Sequence, residues 1–151
     1  MSNQFLARRR VEFSDTGHVG IGEFNSAGIA HFSRFFLWME QAEHEFLESR
    51  GLRVVFEDQG HKHGFPRVSA TCDYQKPVRY RDWLIIAVFL EKTGRSSLQY
   101  RFDFTVEGDP APVATGRLST CLCQLTDGMM RSVPLPDWMR ARLESPAGKA
   151  D

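Results

Sequence analysis

The segment Ala27-Gly28-Ile29-Ala30-His31-Phe32 runs without a break into residues whose apolar members recur at helical spacing. Phe32, Phe36, Met39, Ala42 and Phe46 are four, three, three and four apart, which predicts one long amphipathic helix opened by a glycine-containing turn. Ser49-Arg50-Gly51 is its predicted stop, because glycine accommodates the left-handed residue that ends many helices. About 20 residues at about 1.5 Å each span about 30 Å, enough to cross a whole sheet. An apolar stripe of that length must be covered, so the rest of the chain has to supply a sheet. The turn also leaves backbone N–H groups at the positive end of the helix dipole, where a polarised carbonyl or an anion can dock.

The remaining pattern supplies that sheet. Phe5 to Phe13 reads as a first strand. His61, His63, Gly64 and Pro66 read as a loop, with both histidines solvated. Val68, Ala70, Cys72 and Tyr74 then alternate with Arg67, Ser69, Thr71 and Asp73, as in a half-buried strand. Trp83 to Leu90 is apolar on both faces and predicts an interior strand, and Leu98 to Glu107 alternates cleanly. Thr93-Gly94 and Gly108-Asp109-Pro110 punctuate the hairpins, and a last strand is expected from Val113 to Leu125. Pro136 to Arg140 reads as a short helix and 145–151 as a frayed tail. Strand, long helix and four successive antiparallel strands make an α+β arrangement, one sheet covered by one helix, in a single domain over 1–151.

Composition narrows the function. Lys+Arg and Asp+Glu both number 19, so no net charge draws the chain to nucleic acid or an anionic membrane. No apolar run approaches the roughly 20 residues of a membrane helix, and the N-terminus lacks a signal-peptide layout. Three cysteines suit reduced thiols and a cytoplasmic location. Cys121 and Cys123, expected on one face of a strand, have no second ligand pair nearby, so no metal is expected. Glu40 and His44 are spaced for a surface ion pair on the helix.

The glycine turn and helix, Pro66-Arg67-Val68-Ser69-Ala70, and Arg131-Ser132-Val133-Pro134 before the last helix carry a resemblance. The chain resembles hotdog-fold acyl-CoA thioesterases of the 4-hydroxybenzoyl-CoA thioesterase type from about Arg8 to Met139. The resemblance implies a sheet wrapped around a central helix and hydrolysis of an acyl-CoA, whose CoA is part of the substrate, with no further cofactor. It implies a thioester carbonyl polarised by N–H groups near Gly28 and Ile29. The family's carboxylate, three residues before that glycine, is Asn25 here, which can orient a water but cannot take its proton. Asp15 upstream, Glu23 and His31 are the groups that can substitute for it, His31 because an imidazole titrates near neutrality. Lys92, Arg95 and Ser96 match the hairpin where the family contacts CoA phosphates. Sites built from two chains of a homodimer or homotetramer are implied as well.

Residues 17–24 nearly repeat 25–32 at a period of eight, with Gly20/Gly28, Ile21/Ile29 and Phe24/Phe32 identical. Against the family this reads as eight extra residues beside the site, the helix being fed by Asn25 to Phe32. Two other functions fit the same residues. One is an acyl-CoA or acyl-carrier binding protein that has lost the catalytic acid. The other is a hydratase or dehydratase with His31 as base.

Overall fold

The computed structural model describes residues 4–12 and 28–144. Among them β1 (Gln4–Arg10) precedes the central helix α1 (Arg34–Ser49), and the hairpin β2 (Val55–Asp58) and β3 (His61–Gly64) follows. Then come β4 (Arg67–Tyr74), β5 (Trp83–Thr93), β6 (Ser97–Val106), β7 (Asp109–Cys121), β8 (Cys123–Thr126), β9 (Met129–Ser132) and α2 (Asp137–Glu144). The main antiparallel sheet has the order β1-β5-β6-β7-β4, and a smaller one the order β2-β3-β8-β9. The last residue of the expected first strand, Phe13, and the tail 145–151 lie outside the described residues.

Alternation on the central strands makes the core. Leu84, Ile86 and Val88 of β5 and Leu98, Tyr100, Phe102 and Phe104 of β6 are all buried. Onto them α1 lays Phe35, Trp38, Met39, Ala42, Phe46 and Leu47. Each fully buried side chain of this size is worth about 1.5–3 kcal/mol against exposure. At Gly116 of β7 the helix approaches so closely that a Cβ would press into the Met39 thioether.

The helix has 16 residues, about four fewer than its apolar stripe suggests. Phe32 and Ser33 belong to a tighter turn: Arg34, Phe35 and Phe36 donate to the carbonyls of His31, Phe32 and Ser33, three residues back, at 3.0, 3.3 and 3.2 Å. Its other end is as expected. Gly51 is left-handed (φ 70), its N–H bonds to Glu48 O, and Leu52 N–H reaches Leu47 O, the paired bonds of a Schellman stop.

Four expectations need correction. The loop with His61 and His63 is the hairpin β2–β3, turned at Gln59-Gly60 with positive φ at both residues. His63 is buried rather than solvated, its ring stacked 5.2 Å from Phe56. The strand expected at 113–125 is two: β7 begins at Asp109, the chain bends at Leu122, and β8 joins the smaller sheet. Cys121 and Cys123 therefore do not share a strand. Nor is β4 half-buried as expected: it is the sheet's edge, every residue but Cys72 is exposed, and Val68 stays 69% exposed because nothing among the described residues covers it.

One buried charge stands out beneath the sheet. Glu43 of α1 is fully buried and its Oε1 accepts from the Arg67 guanidinium of β4. Its Oε2, Tyr100 Oη and Thr120 Oγ1 are buried without a hydrogen-bond partner. Burial pushes the Glu43 carboxyl up to about 7, against the pull of Arg67, with Glu40 adding a smaller push.

Candidate active site

Gly28 has φ 74, a conformation glycine adopts without strain, and it turns the chain toward α1. The next two residues are tied down. Ile29 bridges Arg79, and Ala30 N–H donates to Val78 O at 2.8 Å. The connector between β4 and β5 is fixed in turn by Gln75 and Lys76 N–H groups on Val113 O. The approach to the helix thus lies along residues 74–79.

Between these two segments opens a cleft of about 310 Å³, lined by Ile29, Ala30, Phe32 and Phe35 on one wall and residues 74–78 on the other. Its aromatic corner is mutually braced. The Tyr74 ring meets Phe35 at 5.1 Å and Phe32 at 6.5 Å, both edge-on, and Phe35 continues to Phe104 at 5.2 Å. Tyr74 Oη donates to Phe32 O at 2.9 Å. Burial pushes that phenol up to about 12, with the Cys72 thiol adding to it, so the O–H remains a donor at physiological pH. Phe32 itself is 60% exposed at the mouth. At the rim, Lys76 pairs with Asp109.

His31 is beside the cleft rather than in its lining. Its ring lies 4.4 Å from that of Phe32, Nδ1 is 2.8 Å from Ser33 Oγ, and Ser33 N–H donates to Nδ1. With Nδ1 accepting from the Ser33 N–H, Nε2 is the ring nitrogen left for other partners.

Lys92, Arg95 and Ser96 lie on the β5–β6 turn, at the other end of the sheet. Phe104, beside the cleft, and Ser97, at the turn, are seven residues apart on one strand, about 24 Å. One chain does not bring the two sets together. The turn is well braced: Arg95 O accepts from Leu135 N–H at 2.8 Å and from Arg140 at 3.1 Å, and Ser96 Oγ accepts from Ser132 at 3.1 Å. Asp15, Glu23 and Asn25 lie outside the described residues. What the sequence pattern missed is the far wall, Tyr74 to Val78; Tyr74 closing a strand just before Pro77 was the available signal.

A sequence model of the thioesterase-like superfamily matches residues 19–143. The chain belongs to that superfamily. The 1,4-dihydroxy-2-naphthoyl-CoA hydrolase of Synechococcus elongatus is 30% identical over 128 residues, 81% of this chain and 90% of the relative. That of Prochlorococcus marinus is 29% identical over 112 residues, 70% and 69% of the two chains. Among solved structures, an aspartate-to-asparagine mutant of 4-hydroxybenzoyl-CoA thioesterase complexed with 4-hydroxybenzoyl-CoA superposes with a TM-score of 0.76 at 18% identity, covering 94% and 99%. A gentisyl-coenzyme A thioesterase gives 0.72 at 23% identity, covering 92% and 99%. The fold is the hotdog fold, and no described helix is long and apolar enough to cross a membrane.

Proposed function

We propose that this thioesterase-family protein hydrolyses an acyl-CoA whose thioester is polarised at the turn entering α1. The observation that carries this is the apolar cleft opening directly at Ile29 and Ala30, walled by Phe32, Phe35 and Tyr74. The acyl group occupies the cleft, the carbonyl oxygen faces the N–H groups near Gly28 and Ile29, and water adds to the carbonyl carbon. Collapse of the tetrahedral adduct breaks the C–S bond and releases the acid and the CoA thiol. Loss of one such oxyanion donor typically costs about 10²–10³ in rate. Asn25 orients the water without accepting its proton, so the rate rests on positioning and electrostatics. His31 stands beside the cleft, its Nδ1 accepting from the Ser33 N–H.

The separation of about 24 Å between cleft and phosphate turn is bridged by a second copy. Strand β4 has no partner on its outer edge among the described strands, and a two-fold axis pairs it antiparallel with itself. The Arg67 end of one copy then lies beside the Tyr74 end of the other. The second copy's 92–96 turn is carried toward the cleft, where Lys92, Arg95 and Ser96 meet the CoA phosphates. No cofactor beyond the substrate's own CoA enters, and the cytoplasm is the setting that keeps the cysteines reduced.

Free-thiol release from a panel of aryl, short-chain and long-chain acyl-CoAs tests the reading. Saturable turnover on any member, by a dimer or larger species in light scattering, is the expected result. Asn25 favours a second reading, a binding protein on the same scaffold. Acyl-CoA binding without turnover across the panel selects it.

A further inference from the structure

Where β7 gives way to β8, the chain brings two thiols together. Leu122 belongs to neither strand; its N–H donates to Ser96 O at 2.7 Å and its carbonyl accepts from Val133 at 3.0 Å. Residues two apart on a flat strand are separated by about 7 Å. With the bend at Leu122, Cys123 becomes the cross-strand partner of Ser132 on β9, the same residue whose hydroxyl Cys121 Sγ approaches, so both cysteines border one serine. Cys121 Sγ also lies 3.3 Å from Ser132 Oγ and 3.7 Å from Ser96 Oγ, and the two hydroxyls are 3.1 Å apart.

The pair is asymmetric. Cys121 is half-buried and reachable, whereas Cys123 is buried. Hydroxyls that can turn their O–H groups onto a sulfur stabilise its thiolate, and those of Ser132 and then Ser96 hold the Cys121 thiol below its ordinary range. Burial, with the Cys121 charge beside it, pushes Cys123 up. The third thiol is remote. Cys72 pairs with Gly116, five residues and about 17 Å along β7 from Cys121.

We propose that Cys121 and Cys123 form a hydroperoxide-reactive dithiol, with Cys121 the attacking and Cys123 the resolving residue. Cys121 Sγ attacks one peroxide oxygen, an S–O bond forms as the O–O bond breaks, and the alcohol or water leaves with the thiol proton. Cys123 Sγ then attacks the sulfenic sulfur, the S–S bond forms, and hydroxide departs to be protonated as water. Two thiols lose two electrons in all, and the hydroperoxide gains them. None of these steps involves the thioester cleft; the two chemistries share only Ser96, which faces Cys121 Sγ and belongs to the proposed CoA-phosphate turn.

The test uses the reduced full-length chain, hydrogen peroxide at low stoichiometry, alkylation and mass spectrometry. Free thiols fall from three to one, and tryptic peptide 118–131, which holds Cys121 and Cys123 but not Cys72, loses two hydrogens. Cys121 is consumed at least about tenfold faster than Cys72. In Cys123→Ser, dimedone labels Cys121, and Cys72→Ser leaves the disulfide intact. Retention of all three thiols, first oxidation at Cys72, a disulfide between chains, or dimedone on Cys123 in Cys121→Ser but not on Cys121 in Cys123→Ser overturns the assignment. The wild-type peptide map decides the matter even if a variant folds poorly.

Discussion

Replacing Glu43 by glutamine separates the effect of a buried charge from that of its shape. The carboxyl has a folded value of about 7 against an ordinary 4.5. The native state therefore holds a proton that the unfolded chain has released over this interval, and stability falls as pH rises through it. The contribution is fully present below about pH 4.5 and is lost through about pH 7. Integrating the two titrations at about 1.36 kcal/mol per unit gives a loss of about 1 kcal/mol at pH 5.5 and about 3 kcal/mol at pH 8.5. The difference across that window is about 2 kcal/mol, or a drop in Tm of about 4–8 °C for a domain of this size. Glu43→Gln keeps an acceptor for Arg67 and removes the titratable group. The variant's stability relative to the wild type should rise by about 2 kcal/mol between pH 5.5 and pH 8.5. Urea unfolding of both proteins at several pH values measures this. Parallel stability curves for the two proteins, or a wild type that gains stability relative to the variant as pH rises, refute the reasoning.

Asn25→Asp should raise acyl-CoA hydrolysis by up to about 10²–10⁴-fold if the family geometry holds at the turn, as read by thiol release. Gly116→Ala sets a Cβ against Met39, with its Cε 3.2 Å away, and should cost about 1–3 kcal/mol in urea unfolding. Tyr74→Phe removes the bond to Phe32 O and should cost about 0.5–1.5 kcal/mol of stability, with KM rising more than kcat falls in steady-state assays. Val68→Lys places a charge on the exposed edge and should give a monomer by light scattering with its circular dichroism unchanged and its turnover lost.

The sequence was most readable where one face of an element is buried by the chain itself. The alternation of Leu98 to Val106 and the stripe from Phe35 to Phe46 both point into the core. The β2–β3 hairpin was opaque because its alternation mixes Phe56 with Glu57, Lys62 and His63; only Gln59-Gly60 marked the turn. Asp127-Gly128, with positive φ at both residues, was an equally local signal for β9. The cleft was half readable. Its helix-side wall follows from the glycine turn, but Tyr74 to Val78 reach it only through the pairing of β4 with β7, about 40 residues away in sequence. The rise in the Glu43 pKa was unreadable, since its place on the helix face matches that of a solvated residue until Arg67 and the sheet cover it.

Strand β4 holds α1 at two places. Arg67, at its start, reaches Glu43 in the body of the helix, and Tyr74, at its end, holds the Phe32 carbonyl just before the first turn. The strand's inward polar groups thus set where the helix lies along the sheet and how its entry turn faces the cleft. Val68 remains exposed, Ala70 is exposed beside it, and the outer edge has no partner among the described strands. An unpaired edge with an apolar residue facing solvent is a liability that proteins cover or blunt. Here no lysine or proline lies within Arg67–Tyr74 to blunt it. Pairing that edge with a second copy would cover it, and the proposed dimer would carry the 92–96 turn of one copy toward the cleft of the other.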